Sequence, residues 1–432
     1  MNGSNISAIP HDLLSTSFDV GNHRFPGYWR FLLPKEFASL KLPEEKIADC
    51  TACPMVSVGA YDARCRCCTH IPQIANYQLG TALSERNDAI QKMIQQGYAL
   101  PEGIDLHPEQ QRLFHSAYSQ GRFGLDESLR CPLMDVDTGM CDAYMYRTSV
   151  CSTFFCSNDH GDSGARFWDG LKQLISQIDL VVAQWAMAEV GMDVPAYMDR
   201  KNSLVSQFDR SVSGFRSDSP GAIARGWPKE IRSFMFGEWF GREDTFFEKC
   251  SQVVWQHKNE LWTIAENAVL YEASAYERAV EAYVQGNTVT GERDVNNATD
   301  APQVEADDAG IGELWEELLD AYENLWRLPG SDELLVLNPD VVFLENACDD
   351  KVSRFFSSKE FCVFLSKPEN EGEAAILYIS ADEVSVLHLF DKPTALTDEL
   401  LKQSPFQNIG KARAFLAQSV CNGLLEIRAA QQ

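Results

Sequence analysis

The sequence predicts a mainly α-helical protein: a metal-stabilised cysteine-rich domain, then a helical region, then a small C-terminal α/β domain of winged-helix type. Three observations predict it. Nine of the thirteen cysteines lie between residues 50 and 156. Apolar residues then recur at spacings of three and four, the signature of amphipathic helices. The last hundred residues change to short β-rich runs, followed by helices and a closing strand.

The partition that follows is a lead-in over 1–45, a cysteine domain over 46–170, a helical region over 171–286, an acidic linker over 287–312 and an acidic helix with the C-terminal module over 313–432. A chain of 432 residues exceeds one typical core, so several domains are expected. The lead-in carries the irregular, aromatic-rich stretch Phe25-Pro26-Gly27-Tyr28-Trp29. Within the cysteine domain, residues 82–100 and 107–120 read as helices, with Pro108 and Glu109 suited to a first helical turn.

In the helical region, Phe167, Leu171, Leu174, Ile175, Ile178, Val182 and Trp185 form one apolar stripe. Residues 228–286 continue in the same manner, and their aromatic residues are expected to be core. Residues 287–312 are polar and acidic, a composition that disfavours packing. From Asp294 to Trp326 there are ten Asp or Glu and no Lys or Arg. Helical spacing returns over Glu313–Trp326. Strands are expected at Leu334–Leu337, Val341–Leu344, Phe361–Leu365 and Ala374–Ile379. Helices are expected over 381–391, 396–403 and 410–422, with a last strand at Gly423–Ile427.

Charge and hydropathy exclude several functions. The formal charge of −26 opposes phosphate contacts and anionic membrane surfaces, so neither nucleic acid nor membrane is an expected partner. A basic peptide or protein suits it better. No run of 18 apolar residues occurs, so no transmembrane helix is expected. The N-terminal ten residues lack the pattern of a secretory signal. A cytoplasmic location is the expectation, and there clustered thiols stay reduced and act as ligands.

The cysteines read Cys50-x2-Cys53, Cys65-Arg66-Cys67-Cys68, Cys131, Cys141, Cys151 and Cys156. Thiolates suit Zn(II) and iron–sulfur clusters, and both usually take four. Cys50, Cys53, Cys67 and Cys68 supply one half, and Cys131, Cys141, Cys151 and Cys156 the other, with Cys65 to spare. Eight ligands allow two four-thiolate sites or one site of mixed origin. Adjacent residues seldom both point inward, so the Cys67–Cys68 pair suits two metals or a multinuclear cluster. Arg64, Arg66, Arg130, Arg147 and Arg166 lie near the cysteines in sequence and can offset the excess negative charge. His70 and His160 are secondary candidate ligands, His160 alternatively an acid–base group. Cys250, Cys348, Cys362 and Cys421 sit in apolar stretches and are expected to be core.

This pattern resembles the YkgJ-type cysteine-cluster family, described as a zinc- or iron-chelating domain. The resemblance covers residues 48–170. It rests on Cys50 and Cys53, Cys67-Cys68, Cys131-Pro132-Leu133, Cys141-Asp142-Ala143-Tyr144, Arg147 and Cys151, which Cys156 extends. An insertion, Pro54 to Arg66, opens the family's compact start, so either Cys65 or Cys67 takes the matching place. The resemblance implies bound zinc or iron–sulfur. Members similar to flagellin lysine N-methylase carry the cluster in a protein-modifying enzyme, which implies an iron–sulfur role there.

No GxGxxG after a strand, GxxxxGK[ST], GxSxG or HExxH occurs, so no nucleotide or S-adenosylmethionine loop is visible. S-adenosylmethionine enters only under the alternative of an iron–sulfur-dependent enzyme that modifies a protein or peptide side chain. That would need an open iron site with three cysteines. The C-terminal module resembles, loosely, PqqD-like winged-helix domains that bind leader peptides. The features are Leu335-Val336-Leu337-Asn338-Pro339, Phe390-Asp391-Lys392-Pro393-Thr394 and Gly423-Leu424-Leu425. The resemblance implies a peptide or protein partner.

Overall fold

The computed structural model describes residues 17–43, 45, 50, 52–57, 59–155, 161–211, 225–285, 310–329, 333–345, 361–365, 375–406, 409–421 and 423–430. Helices dominate. They are α1 (Trp29–Leu32), α2 (Pro54–Ser57), α3 (Asn76–Ser84), α4 (Asp88–Gln95), α5 (Pro108–Ser119), α6 (Ser149–Ser152), α7 (Gly161–Glu189) and α8 (Val194–Ser211). There follow α9 (Lys229–Phe236), α10 (Glu243–Gln256), α11 (Leu261–Asn267), α12 (Ser274–Val284), α13 (Ile311–Leu325), α14 (Ala381–Leu387), α15 (Asp398–Leu401) and α16 (Ile409–Cys421). The strands are β1 (Phe18–Val20), β2 (His23–Phe25), β3 (Ala99–Leu100), β4 (Gly103–Ile104), β5 (Glu333–Leu337), β6 (Val341–Glu345), β7 (Phe361–Leu365), β8 (Ala375–Ile379) and β9 (Leu425–Ala429). Among the described residues no helix is long and apolar enough to cross a membrane.

The chain forms two compact units, the first of residues 1–42, 61–154 and 172–314, the second of 43–60, 155–171 and 315–432. In the first unit α3 packs against α10 with unusual closeness. Gly80 makes this possible, because a Cβ there would lie 1.9 Å from the carbonyl oxygen of Phe247. Around this point Tyr77, Leu79, Phe246, Phe247 and Cys250 are fully buried. The polar residues of the seam are paired, as burial demands: Trp255 Nε1 donates to Thr81 Oγ1 at 2.7 Å, and Thr81 and Ser251 hydroxyls lie 2.8 Å apart. The expected helix over 82–100 divides instead into α4 and the β3–β4 hairpin. Asn87 causes the break, since its side chain caps α4 by accepting from the Ile90 N–H at 2.9 Å. Helix α5 starts at Pro108, capped by His107, which accepts from the Gln110 N–H at 3.3 Å.

The apolar stripe of α7 is buried as expected, with Leu171, Leu174, Ile175, Ile178 and Val182 at 0–2% exposure. Its one ionisable residue on the buried side is Asp179, which accepts from Tyr77 Oη and from Gln78 Nε2 at 3.1 Å. Burial raises its pKa from 3.8 to about 7. The lead-in expected to be irregular holds the antiparallel pair β1–β2, and Phe25 stacks on Trp29 at 4.9 Å.

In the second unit β5 pairs antiparallel with β9, and β6, β7 and β8 form an antiparallel sheet in that order. Leu335, Val386, Leu387, Phe390, Leu401, Leu416 and Leu424 make its core. Asn338 ties the ends together: its N–H donates to Leu424 O and its amide to Gly423 O, both at 2.9 Å. Ser380 and Glu383 form a reciprocal cap on α14. All four expected strands and all three expected helices of this part are present, within a few residues. Most of the linker expected over 287–312 lies outside the described residues.

Candidate metal centre

The cysteine loops of the first unit are ordered chiefly by their backbone. The Cys131 N–H donates to Cys68 O at 2.7 Å, which brings the first cysteine segment to the second. Cys131 O then accepts from the Met134 N–H at 3.1 Å, and Met134 forms an antiparallel bridge with Cys141. The intervening loop closes on Asp135, whose carboxylate accepts from the Asp137 and Thr138 N–H groups, both at 2.8 Å. This is the turn-forming habit of aspartate. Arg66 Nη1 donates to Gly139 O at 2.8 Å and clamps the two loops together. Gly139 has φ +69°, and a Cβ there would strike the Arg66 guanidinium.

Nine cysteines have described side chains: Cys50, Cys53, Cys65, Cys67, Cys68, Cys131, Cys141, Cys151 and Cys250. The backbone gathers Cys68, Cys131 and Cys141. Cys151, on α6, is close enough for its field to reach Cys131 and Cys141. Burial raises the pKa of Cys131, and raises that of Cys141 to about 11, while the Arg147 charge works in the opposite sense at Cys141; the pKa of Cys67 is raised by its hydrogen bond with Cys68 and then by burial. Cys65 is engaged elsewhere: its thiol donates to Gly124 O at 3.2 Å. Cys50 and Cys53 belong to the second unit. Cys156 and His160 lie outside the described residues. His70 packs its ring 5.5 Å from that of Phe114.

Of the five arginines, Arg147 stacks 3.8 Å above the Tyr144 ring and donates to Tyr144 O at 3.1 Å. Arg64 and Arg130 both pair with Glu127, and Arg166 is exposed on α7. Cys250 is core, as expected. The other three cysteines expected in the core, Cys348, Cys362 and Cys421, have side chains outside the described set.

Among the described residues no three or more His, Cys, Asp or Glu side chains are grouped so as to hold a metal ion. The donor set is nonetheless soft and suited to zinc or iron–sulfur. Beside Cys151, the hydroxyls of Thr148 and Ser152 are buried with no partner among the described residues. Such groups can donate to a thiolate or sulfide. Sequence reasoning missed these two, because serine and threonine beside a cysteine carry no signal. It also missed the apolar surface here: Tyr118, Leu125, Val136, Met140, Val150 and Phe154 are exposed. Phe123 joins part of that surface, with its ring 4.8 Å from Tyr118 and 5.8 Å from Phe154.

In comparison with known proteins, the chain matches no family model, no curated protein and no solved structure.

Proposed function

We propose that the chain is a metal-binding protein of the YkgJ type, in which clustered cysteines hold an iron–sulfur cluster or zinc. The observation that carries this reading is the gathering of Cys68, Cys131 and Cys141 by the hydrogen-bonded loops, with Cys151 within electrostatic reach. Cys67 is the next ligand by adjacency, and the sequence pattern adds Cys50, Cys53 and Cys156, in one site or in two. The bound metal would supply a cross-link or an electron store. The thiols and the hydroxyls of Thr148 and Ser152 would hold and hydrogen-bond it, and Arg147 would offset charge beside Cys141. The C-terminal module, with α14–α16 and the β5–β9 pair, is read as winged-helix-like and as the contact for a protein or peptide partner. The location this reading fits is the cytoplasm.

The test is anaerobic purification of the full chain, with elemental analysis and a visible spectrum on one sample. Stoichiometric iron with sulfide, or zinc, is expected. Cys131→Ser should lower the metal content at least several-fold, while Cys250→Ser should leave it unchanged. Metal-free protein, or equal metal in both variants, would overturn the reading.

A second reading, which the sequence leaves open, is an iron–sulfur-dependent enzyme that modifies a protein or peptide side chain with S-adenosylmethionine, on an open iron held by three cysteines. Iron with sulfide and saturable S-adenosylmethionine binding would select it over the zinc protein.

A further inference from the structure

Away from the cysteines, the first unit encloses a polar nest built on the β3–β4 hairpin. Glu102 sits in the hairpin turn and Asp105 follows β4. Their side chains are 9% and 12% exposed. Helix α8 sends in Lys201 and Tyr197, and α12 sends in Tyr276.

Glu102 is fully engaged. It accepts from Lys201 Nζ, from Tyr197 Oη at 3.1 Å and from Gln184 Nε2 at 3.0 Å. Asp105 is not. Lys201 Nζ stands 3.7 Å from its Oδ2, and the Gln73 amide reaches its Oδ1 only at 3.4 Å. The Leu106 N–H adds one further hydrogen bond. A carboxylate offers about four acceptor sites, so Asp105 retains unused capacity.

Tyr276 supplies the independent observation. It is 4% exposed, and among the described residues its hydroxyl has no partner. The charges of Asp105 and Glu102 are those that act most strongly on it. Asn76, at the start of α3, holds the hairpin turn from the other side: its amide nitrogen donates to Pro101 O and Ala183 O, both at 3.0 Å. A buried hydroxyl left without a partner is costly, so one beside an under-used carboxylate asks for a ligand.

The charge balance selects the ligand. Glu102, Asp105 and Glu277 all act on the one lysine, which leaves an excess of negative charge. Aromatic rings stand close: Trp227 Nε1 donates to Asp105 O at 2.9 Å, and Lys201 Nζ lies 5.7 Å from the Tyr276 ring centroid. Carboxylate with aromatic rings is the chemistry that recognises organic ammonium groups. We propose that the Asp105–Tyr276 nest binds a small organic amine as its cation, with N–H groups donating to Asp105 and to Tyr276 Oη.

The test is calorimetric titration of the full chain with methylammonium chloride, against sodium chloride at equal ionic strength. Saturable binding is expected for methylammonium alone. Asp105→Asn and Tyr276→Phe should each weaken it by about tenfold or more, the value of one hydrogen bond to a charged group. Tyr276→Phe removes no hydrogen bond present in the protein, so it keeps the fold and the test. Absence of saturable binding beyond sodium, or equal binding by both variants, would overturn the proposal and leave the nest as a place for ordered water.

Discussion

Between α3 and α10, two helices meet through Gly80 with backbone almost touching backbone, and Phe246, Phe247, Leu79 and Cys250 are wholly removed from water. In the loops over 121–154 of the same unit, order comes from backbone hydrogen bonds, an aspartate-closed turn and the Arg66 clamp, while Leu125, Val136 and Phe154 are 48%, 42% and 38% exposed. Each buried aromatic or aliphatic side chain of the first region stabilises by about 1.5–3 kcal/mol. The loops forgo much of that. The difference teaches that cysteines here stand where apolar packing is thin, which is where ligand bonds have most to add.

The comparison can be broken most severely at Gly80. Gly80→Val puts methyl groups into the Phe247 carbonyl, and neither backbone can yield without parting the helices. A loss of about 4–5 kcal/mol or more is expected, read as a collapse of the urea midpoint. A variant within 1 kcal/mol of the parent would show that α3 and α10 are not closely packed.

Asp179 sharpens the comparison by pH. Its pKa is raised in the folded chain from 3.8 to about 7, so between these values it holds a proton when folded that it releases when unfolded. Its contribution is fully present below about pH 4 and is lost as pH rises through 7. The shift corresponds to roughly 4 kcal/mol. Urea unfolding from pH 4 to 8 should show stability falling faster with pH in the parent than in Asp179→Asn, which still accepts from Tyr77 and Gln78. Parallel curves would show that Asp179 ionises normally.

The smallest effect joins the two regions. Asn87 caps α4 and donates from Nδ2 to Asp142 O at 2.9 Å, next to Cys141. Asn87→Ala should cost about 1 kcal/mol and raise amide exchange at Cys141–Tyr144. Exchange unchanged there would mean that the loop is held without the helix.

The helices with clean apolar stripes were legible in the sequence: α7 from Phe167 onward, and α13 from its leucines and tryptophans. So were the strands of the second unit, through their runs of Val, Leu, Ile and Phe. What was not legible depended on distance along the chain. Asn87 reads as an ordinary helix residue until its cap is seen, so one helix was expected where α4 and a hairpin stand. The β1–β2 pair is only three residues a side. Cysteine spacing pointed to the loops over 61–154, but not to the Arg66–Gly139 clamp, 73 residues apart. The nest around Asp105 was invisible because Glu102, Asp105 and Lys201 look like surface charges until three helices and a hairpin enclose them.

The thiols of the first unit are graded from open to sealed. Cys151 is exposed, Cys67, Cys68 and Cys141 are half-covered, and Cys131 and Cys250 are buried. An alkylating reagent therefore meets a built-in clock. It reaches Cys151 at once, and it reaches Cys250 only when α3 and α10 separate, so the order in which the thiols are lost records which part of the protein opens first.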